Sequence, residues 1–262
     1  MGADKKEQPV EDADFNVQFE EAKKKLSAEQ KKIFDKLDEK LKQAEKEDNE
    51  QSWVASANEF LKAARYFQDA NKAILYKGAI SGFEKTLVLN PNNLSAKTSL
   101  GSSIVESSSL LGNQPMKGIT LIREVIAKDS SNIEANLQLG LFSVTSRQFD
   151  KAIERFQRIL RIDSSHIDMY VYLGDTYLTM GEKQKAIESY ENYKVRVKDT
   201  LIIKDIDEYI KKLKQQQWYE IWDMRRGTKD SRLNTQYSHL KSNFYAIRKK
   251  KKAQKDEHPQ TQ

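Results

Sequence analysis

The three histidines are the first residues to test for chemistry, and His166, His239 and His258 each stand alone. No His-Glu-x-x-His pair sets two imidazoles on one helix face for a metal, and no Gly-rich turn is built to cradle a phosphate or dinucleotide. Gly227-Thr228-Lys229 has no strand pattern before it, and His166 falls where a turn residue is expected. Zero cysteines remove disulfides, thiolate metal sites and cysteine nucleophiles. The expectation is a non-catalytic chain with no cofactor and no metal. What remains is charge: Arg248, Lys249, Lys250, Lys251 and Lys252 form an unbroken cationic run, a candidate anion-binding tail. Such a run has salt-sensitive affinity for phosphate, and Tyr237, Phe244 and Tyr245 beside it have ring faces on which bases stack. The plainer reading of the same run is a solvated terminus.

Any binding surface must be positioned by larger elements, and here a repeat sets them. Gly140 and Gly174 lie 34 residues apart, as do Ala152 with Ala186 and Phe156 with Tyr190. Two segments, Ile133 to Ser164 and Ile167 to Lys198, both carry Leu-Gly in a first helix, Lys-Ala-Ile opening a second, and an aromatic four residues after that Ala. A fixed period of this length marks helical hairpins that bury their apolar faces only by stacking on one another. Gly and Ala stand where helices crowd, and large residues fill the holes beside them. The register extends backwards: Gly101 precedes Gly140 by 39 residues and Gly118 follows Ala79 by 39, which implies five extra residues around Ser107 to Pro115.

This pattern resembles the tetratricopeptide repeat family. The resemblance implies an all-α fold, a right-handed superhelical solenoid of about four stacked hairpins with flanking helices. The units are expected at 60–93, 94–132, 133–166 and 167–200, the first being the least regular because Phe67 occupies its glycine position. In the family, partners lie in the concave groove and meet positions 2, 5, 9 and 12 of each first helix. On this chain those positions include Gln68, Asn71, Val105, Glu134, Leu137, Leu141, Val144, Asp168, Val171, Asp175 and Leu178. Family members that clamp a chaperone's C-terminal carboxylate do so with Lys, Arg and Asn. Here Ala64, Gln68, Glu134 and Gln138 occupy those places, which argues against that role. A protein or peptide with apolar and basic anchors suits the groove better. The expected function is a scaffold for protein–protein interaction, and the alternative is a nucleic-acid or anionic-membrane adaptor acting through the basic tail.

The flanks differ in charge. Residues 1–50 hold 11 lysines against 15 acids, a balance of −4, whereas residues 218–262 hold 11 cations against 5 acids, a balance of +6. Residues 1–14 are expected to be disordered and 15–59 to form a helical segment. Within it, Ser27 to Gln30 reads as a capping box ahead of Ile33, Leu37, Leu41 and Ala44. That stripe either caps the first repeat or pairs with a second copy of the chain as a homo-oligomer. Ile202, Ile206, Tyr209, Ile210 and Leu213 predict a solvating helix at 201–216, and 217–262 reads as a basic aromatic extension with a solvated end. In it, Trp218, Ile221, Trp222 and Arg225 share the face of a short helix, and Leu233, Tyr237, Leu240, Phe244 and Ile247 form a second stripe. With 38% hydrophobic and 32% charged residues and no apolar run of about 20, the chain is expected to be cytoplasmic as written. The alternative is a soluble fragment of an anchored or exported protein whose anchor or signal is missing.

Overall fold

A computed structural model describes the backbone of residues 10–226 and the side chains of 14–215. The expected acidic tip, the stripe from Leu233 to Ile247 and the cationic run Arg248–Lys252 lie wholly or largely outside those residues. The described residues form eleven helices and no strand, so the all-α expectation holds. They fall into two compact units, Met1–Leu139 and Gly140–Gln262.

The first unit contains α1 (Val10–Lys23), α2 (Ala28–Glu47), α3 (Glu50–Tyr66), α4 (Asn71–Leu89), α5 (Leu94–Leu111), α6 (Pro115–Lys128) and the start of α7 (Ile133–Thr145). Hairpins α3–α4 and α5–α6 pack internally, α4 packs on α5, and α2 and α1 pack on α3 and α4. The capping box is present as read. Ser27 Oγ accepts from the Gln30 amide at 3.3 Å and Gln30 Oε1 accepts from the Ser27 amide at 3.1 Å. Phe34, Leu37 and Ala44 of α2 are buried, and Phe19 stacks on Phe34 at 5.2 Å while Phe15 meets Phe60 at 5.9 Å. The α2 stripe is therefore spent inside the chain, as a cap on the first hairpin. Residues 10–14, expected to be disordered, begin α1. Phe15 and Phe19 supply the reason, since both are buried in this aromatic cluster.

The first hairpin departs from the expected register. Helix α3 runs from Glu50 to Tyr66, so Phe67 is its C-cap and Gln68 lies in the connection, while Asn71 opens the second helix. Lys72-Ala73-Ile74 opens α4 as Lys151-Ala152-Ile153 opens α8 (Phe149–Ile162) and Lys185-Ala186-Ile187 opens α10 (Lys183–Lys194). The sizes of the facing residues are exchanged here. Gly78 and Gly82 stand on the second helix against Phe60 and Ala57 of the first, whereas Gly140 and Gly174 stand on first helices against Phe156 and Tyr190 of second ones. The extra residues around Ser107 lengthen a helix and not a loop: α5 has 18 residues against 13 in α7. Gly112 then ends α5 in the left-handed region at φ 68°.

The second unit holds the rest of α7, α8, α9 (Met169–Met180), α10 and α11 (Thr200–Arg226). Tyr190 is fully buried and meets Tyr209 edge-on at 5.3 Å. Ile202, Ile206, Tyr209, Ile210 and Leu213 of α11 are buried with Tyr190 and Tyr193 of α10. Helix α11 continues without a break through Trp218 and Trp222 to Arg226.

One turn recurs between second and first helices. Asn90, Asp129 and Asp163 each follow a second helix, and each Oδ1 accepts the amide two residues on, from Asn92 at 3.0 Å, Ser131 at 3.0 Å and Ser165 at 2.8 Å. Asn93 and Asn132 then cap α5 and α7, accepting from the amides of Ala96 at 2.8 Å and Ala135 at 2.9 Å. His166 sits in the third of these turns, 3.4 Å from the Asp163 carboxylate.

Candidate protein-binding surface

On α7, Glu134, Leu137, Leu141 and Val144 follow one another at spacings of three, four and three, which places them on one side of a helix. Glu134 is exposed, and Leu137, Leu141 and Val144 are half-buried. Glu134 Oε1 accepts from Gln138 Nε2 at 2.7 Å. A helix face with three aliphatic side chains left partly open beside a carboxylate offers both kinds of contact that a partner segment with apolar and basic anchors needs.

The other expected positions divide. Val105 is half-buried on α5. Asp168 is exposed in the turn before α9, and Asp175 on that helix accepts the Tyr190 hydroxyl at 2.6 Å. Burial, with the Asp175 carboxylate adding, raises the Tyr190 phenol well above its ordinary value. Leu178 is half-buried against the core of the second unit, and Val171 is only 3% exposed within it. Val171 therefore offers no surface, because the fifth position of the 167–200 unit is buried with α10 and α11 residues. Gln68 and Asn71 are also corrected: neither stands on a first helix.

Aligning Phe60-Leu61 with Leu139-Gly140 moves the surface positions of α3 to Ala55, Asn58, Lys62 and Arg65, all exposed. Ala64, which the 60–93 register placed on the surface, is buried. Positions 5 and 9 of α3 thus hold Asn58 and Lys62, residue types that a carboxylate clamp uses, whereas Glu134 and Gln138 on α7 still do not suit one.

With Arg65 in place, an ion-pair network appears that no local pattern shows. Arg65 Nε and Nη2 donate to Glu106 Oε2 and Oε1 at 2.9 and 2.6 Å, and the Tyr76 hydroxyl donates to Oε2 at 2.9 Å. Burial opposes the Arg65 charge, but the bonds and field of Glu106, with Glu134 adding, outweigh it and raise its pKa. Burial pushes the Tyr76 phenol up, and Glu106 adds to that. Partners 41 residues apart in sequence carry no periodic signal; the one clue was the register of the α3–α4 hairpin, set by the Lys72-Ala73-Ile74 triplet that opens α4.

In the second unit the tyrosines of α9 are engaged by neighbours. Tyr172 stacks on Phe156 at 5.1 Å, Arg196 lies 4.8 Å over Tyr170, and Lys185 lies 5.6 Å over Tyr177. Among the described residues no group of three or more metal-ligating side chains gathers, and no helix is long and apolar enough to cross a membrane.

Residues 167–193, which form hairpin α9–α10, match the family model of the tetratricopeptide repeat. Among solved structures, MamA from residue 41 to its end, from Desulfovibrio magneticus RS-1, aligns at 16% identity over 72% of this chain and 96% of that one, with a TM-score of 0.48. Another MamA crystal structure aligns at 23% identity over 64% of this chain and 90% of that one, with a TM-score of 0.44. YrrB, described as a TPR protein with an unusual peptide-binding site, aligns at 20% identity over 64% of this chain and 97% of that one, with a TM-score of 0.41. No curated protein matches the chain. The match makes hairpin α9–α10 a tetratricopeptide repeat, and the spacing of Gly140 and Gly174 with their seats against Phe156 and Tyr190 shows the same pattern in the hairpin before it.

Proposed function

We propose that this protein is a non-catalytic scaffold that holds a partner protein on the first helices of its repeats. The observation that carries this reading is the α7 face, where Leu137, Leu141 and Val144 stay partly open beside exposed Glu134. Aliphatic side chains at such positions gain about 25 cal/mol per Å² when a partner covers them, and Glu134 favours a lysine or arginine in that partner. The partner is a segment with apolar residues and a basic one.

Affinity capture with the intact chain, compared by quantitative mass spectrometry with Leu137→Glu, Leu141→Glu and Glu134→Lys, tests it. Bound proteins should fall at least tenfold with either leucine change and with the charge reversal. Retention of every bound protein by all three variants would overturn the reading. A partner lost instead on removal of residues 227–262, and released by moderate salt, would point to the basic tail.

A further inference from the structure

We infer that Arg65 sets the charge selectivity of the first-helix surface in the Met1–Leu139 unit, by filling Glu106 from within the chain and leaving Glu134 to take a partner's basic anchor. This rests on the reading that the surface binds a partner segment. Both Glu106 oxygens are taken, one by Arg65 Nη2 at 2.6 Å and the other by Arg65 Nε and the Tyr76 hydroxyl at 2.9 Å. The Glu106 side chain is 28% exposed, so a second guanidinium cannot pair with it side-on without displacing Arg65. Glu134 is the contrast: it is exposed and bonded to the neutral Gln138.

On α3, α5 and α7 this surface carries Lys62 and Arg65 against Glu106 and Glu134, a balance of zero. Loss of Arg65 makes it −1 and favours a cation, whereas loss of Glu106 makes it +1 and favours a carboxylate. Arg65 is thus a specificity residue acting through a cis ion pair, and its loss is expected to strengthen binding of basic segments.

The test is fluorescence anisotropy at low salt with a short labelled peptide bearing leucines on either side of one arginine, and with its glutamate counterpart. For the arginine peptide, R65Q should bind about threefold or more tighter than wild type, and E106Q weaker by a similar factor. The charge-matched R65Q/E106Q pair should return close to wild type. The glutamate peptide should rank the proteins in the reverse order. Weaker or unchanged binding of the arginine peptide by R65Q, with the double variant no different from R65Q, would overturn the inference. If that happens while Leu137→Glu still abolishes wild-type binding, the surface binds peptides and only the role of Arg65 is lost. If no protein in the set binds either peptide, the scaffold reading fails and the inference fails with it. Where R65Q melts too low for the assay, the comparison of E106Q with R65Q/E106Q carries the same ordering.

Discussion

At Gly140 a Cβ would sit 2.6 Å from Phe156 Cε1, and at Gly174 it would sit 2.6 Å from Tyr190 Cε1. Phe156 and Tyr190 are fully buried, so neither ring can swing away without opening the core. Gly140→Leu should therefore lower stability by about 1–3 kcal/mol through overpacking, read as a shift in the urea midpoint at constant m-value. Tyr190 adds a polar test. Its hydroxyl donates to Asp175 at 2.6 Å in a buried setting, and Tyr190→Phe should cost about 1.5–3 kcal/mol because the bond is to a charged acceptor. An unchanged midpoint for Tyr190→Phe would mean that the pair contributes nothing. These glycines and their rings were legible from spacing alone, since each pair lies within one hairpin. Arg65 and Glu106 were not, since they meet across two hairpins.

Among the elements, α1 depends on its neighbours. It has 14 residues, close to the length at which an isolated helix is marginal in water, and Phe15 and Phe19 join it to α2 and α3. Phe19→Ala should cost about 3–5 kcal/mol and release α1, so amide exchange in residues 10–23 should accelerate before the rest of its unit opens. The α3–α4 hairpin shows why its register was hard to read. Ala79, Phe83 and Asn90-Pro91-Asn92 imitate the second half of a repeat, while the true opening triplet, Lys72-Ala73-Ile74, lacks the aromatic four residues after its Ala. That aromatic is absent because the bulk has moved to Phe60 on the opposite helix, which leaves the facing place to Gly78.

Across the whole molecule, acid is the informative perturbation. Hydrogen bonds from Ser131 lower the pKa of Asp129, and those from Ser165 lower that of Asp163. Asp38 is lowered although burial opposes it, because Lys23 and Lys42 hold the charge, and Glu191 is lowered first by its bond to Lys194. For carboxylates depressed in the fold, stability is full above their unfolded values and is lost as pH falls through the folded ones. The melting midpoint should thus be flat from neutral pH to about 5 and decline below about 4. Asp129→Asn with Asp163→Asn should flatten part of that decline and keep the turns, because Asn90 already makes the same turn without a charge. A decline identical to wild type would show that these turns contribute no acid sensitivity.

The amino-acid sequence by itself determined the helical hairpins, their 34-residue period, the capping box at Ser27 and the closing stripe of α11. Each depends on contacts between residues close along the chain, where helix period and side-chain size carry the information. Only the tertiary structure decided that the α2 stripe is covered by the chain's own phenylalanines, that Val171 is interior, and that Arg65 is paired to Glu106. Those outcomes rest on packing between separate hairpins, where large and small residues can exchange sides and still fill the same space, so local spacing does not specify them.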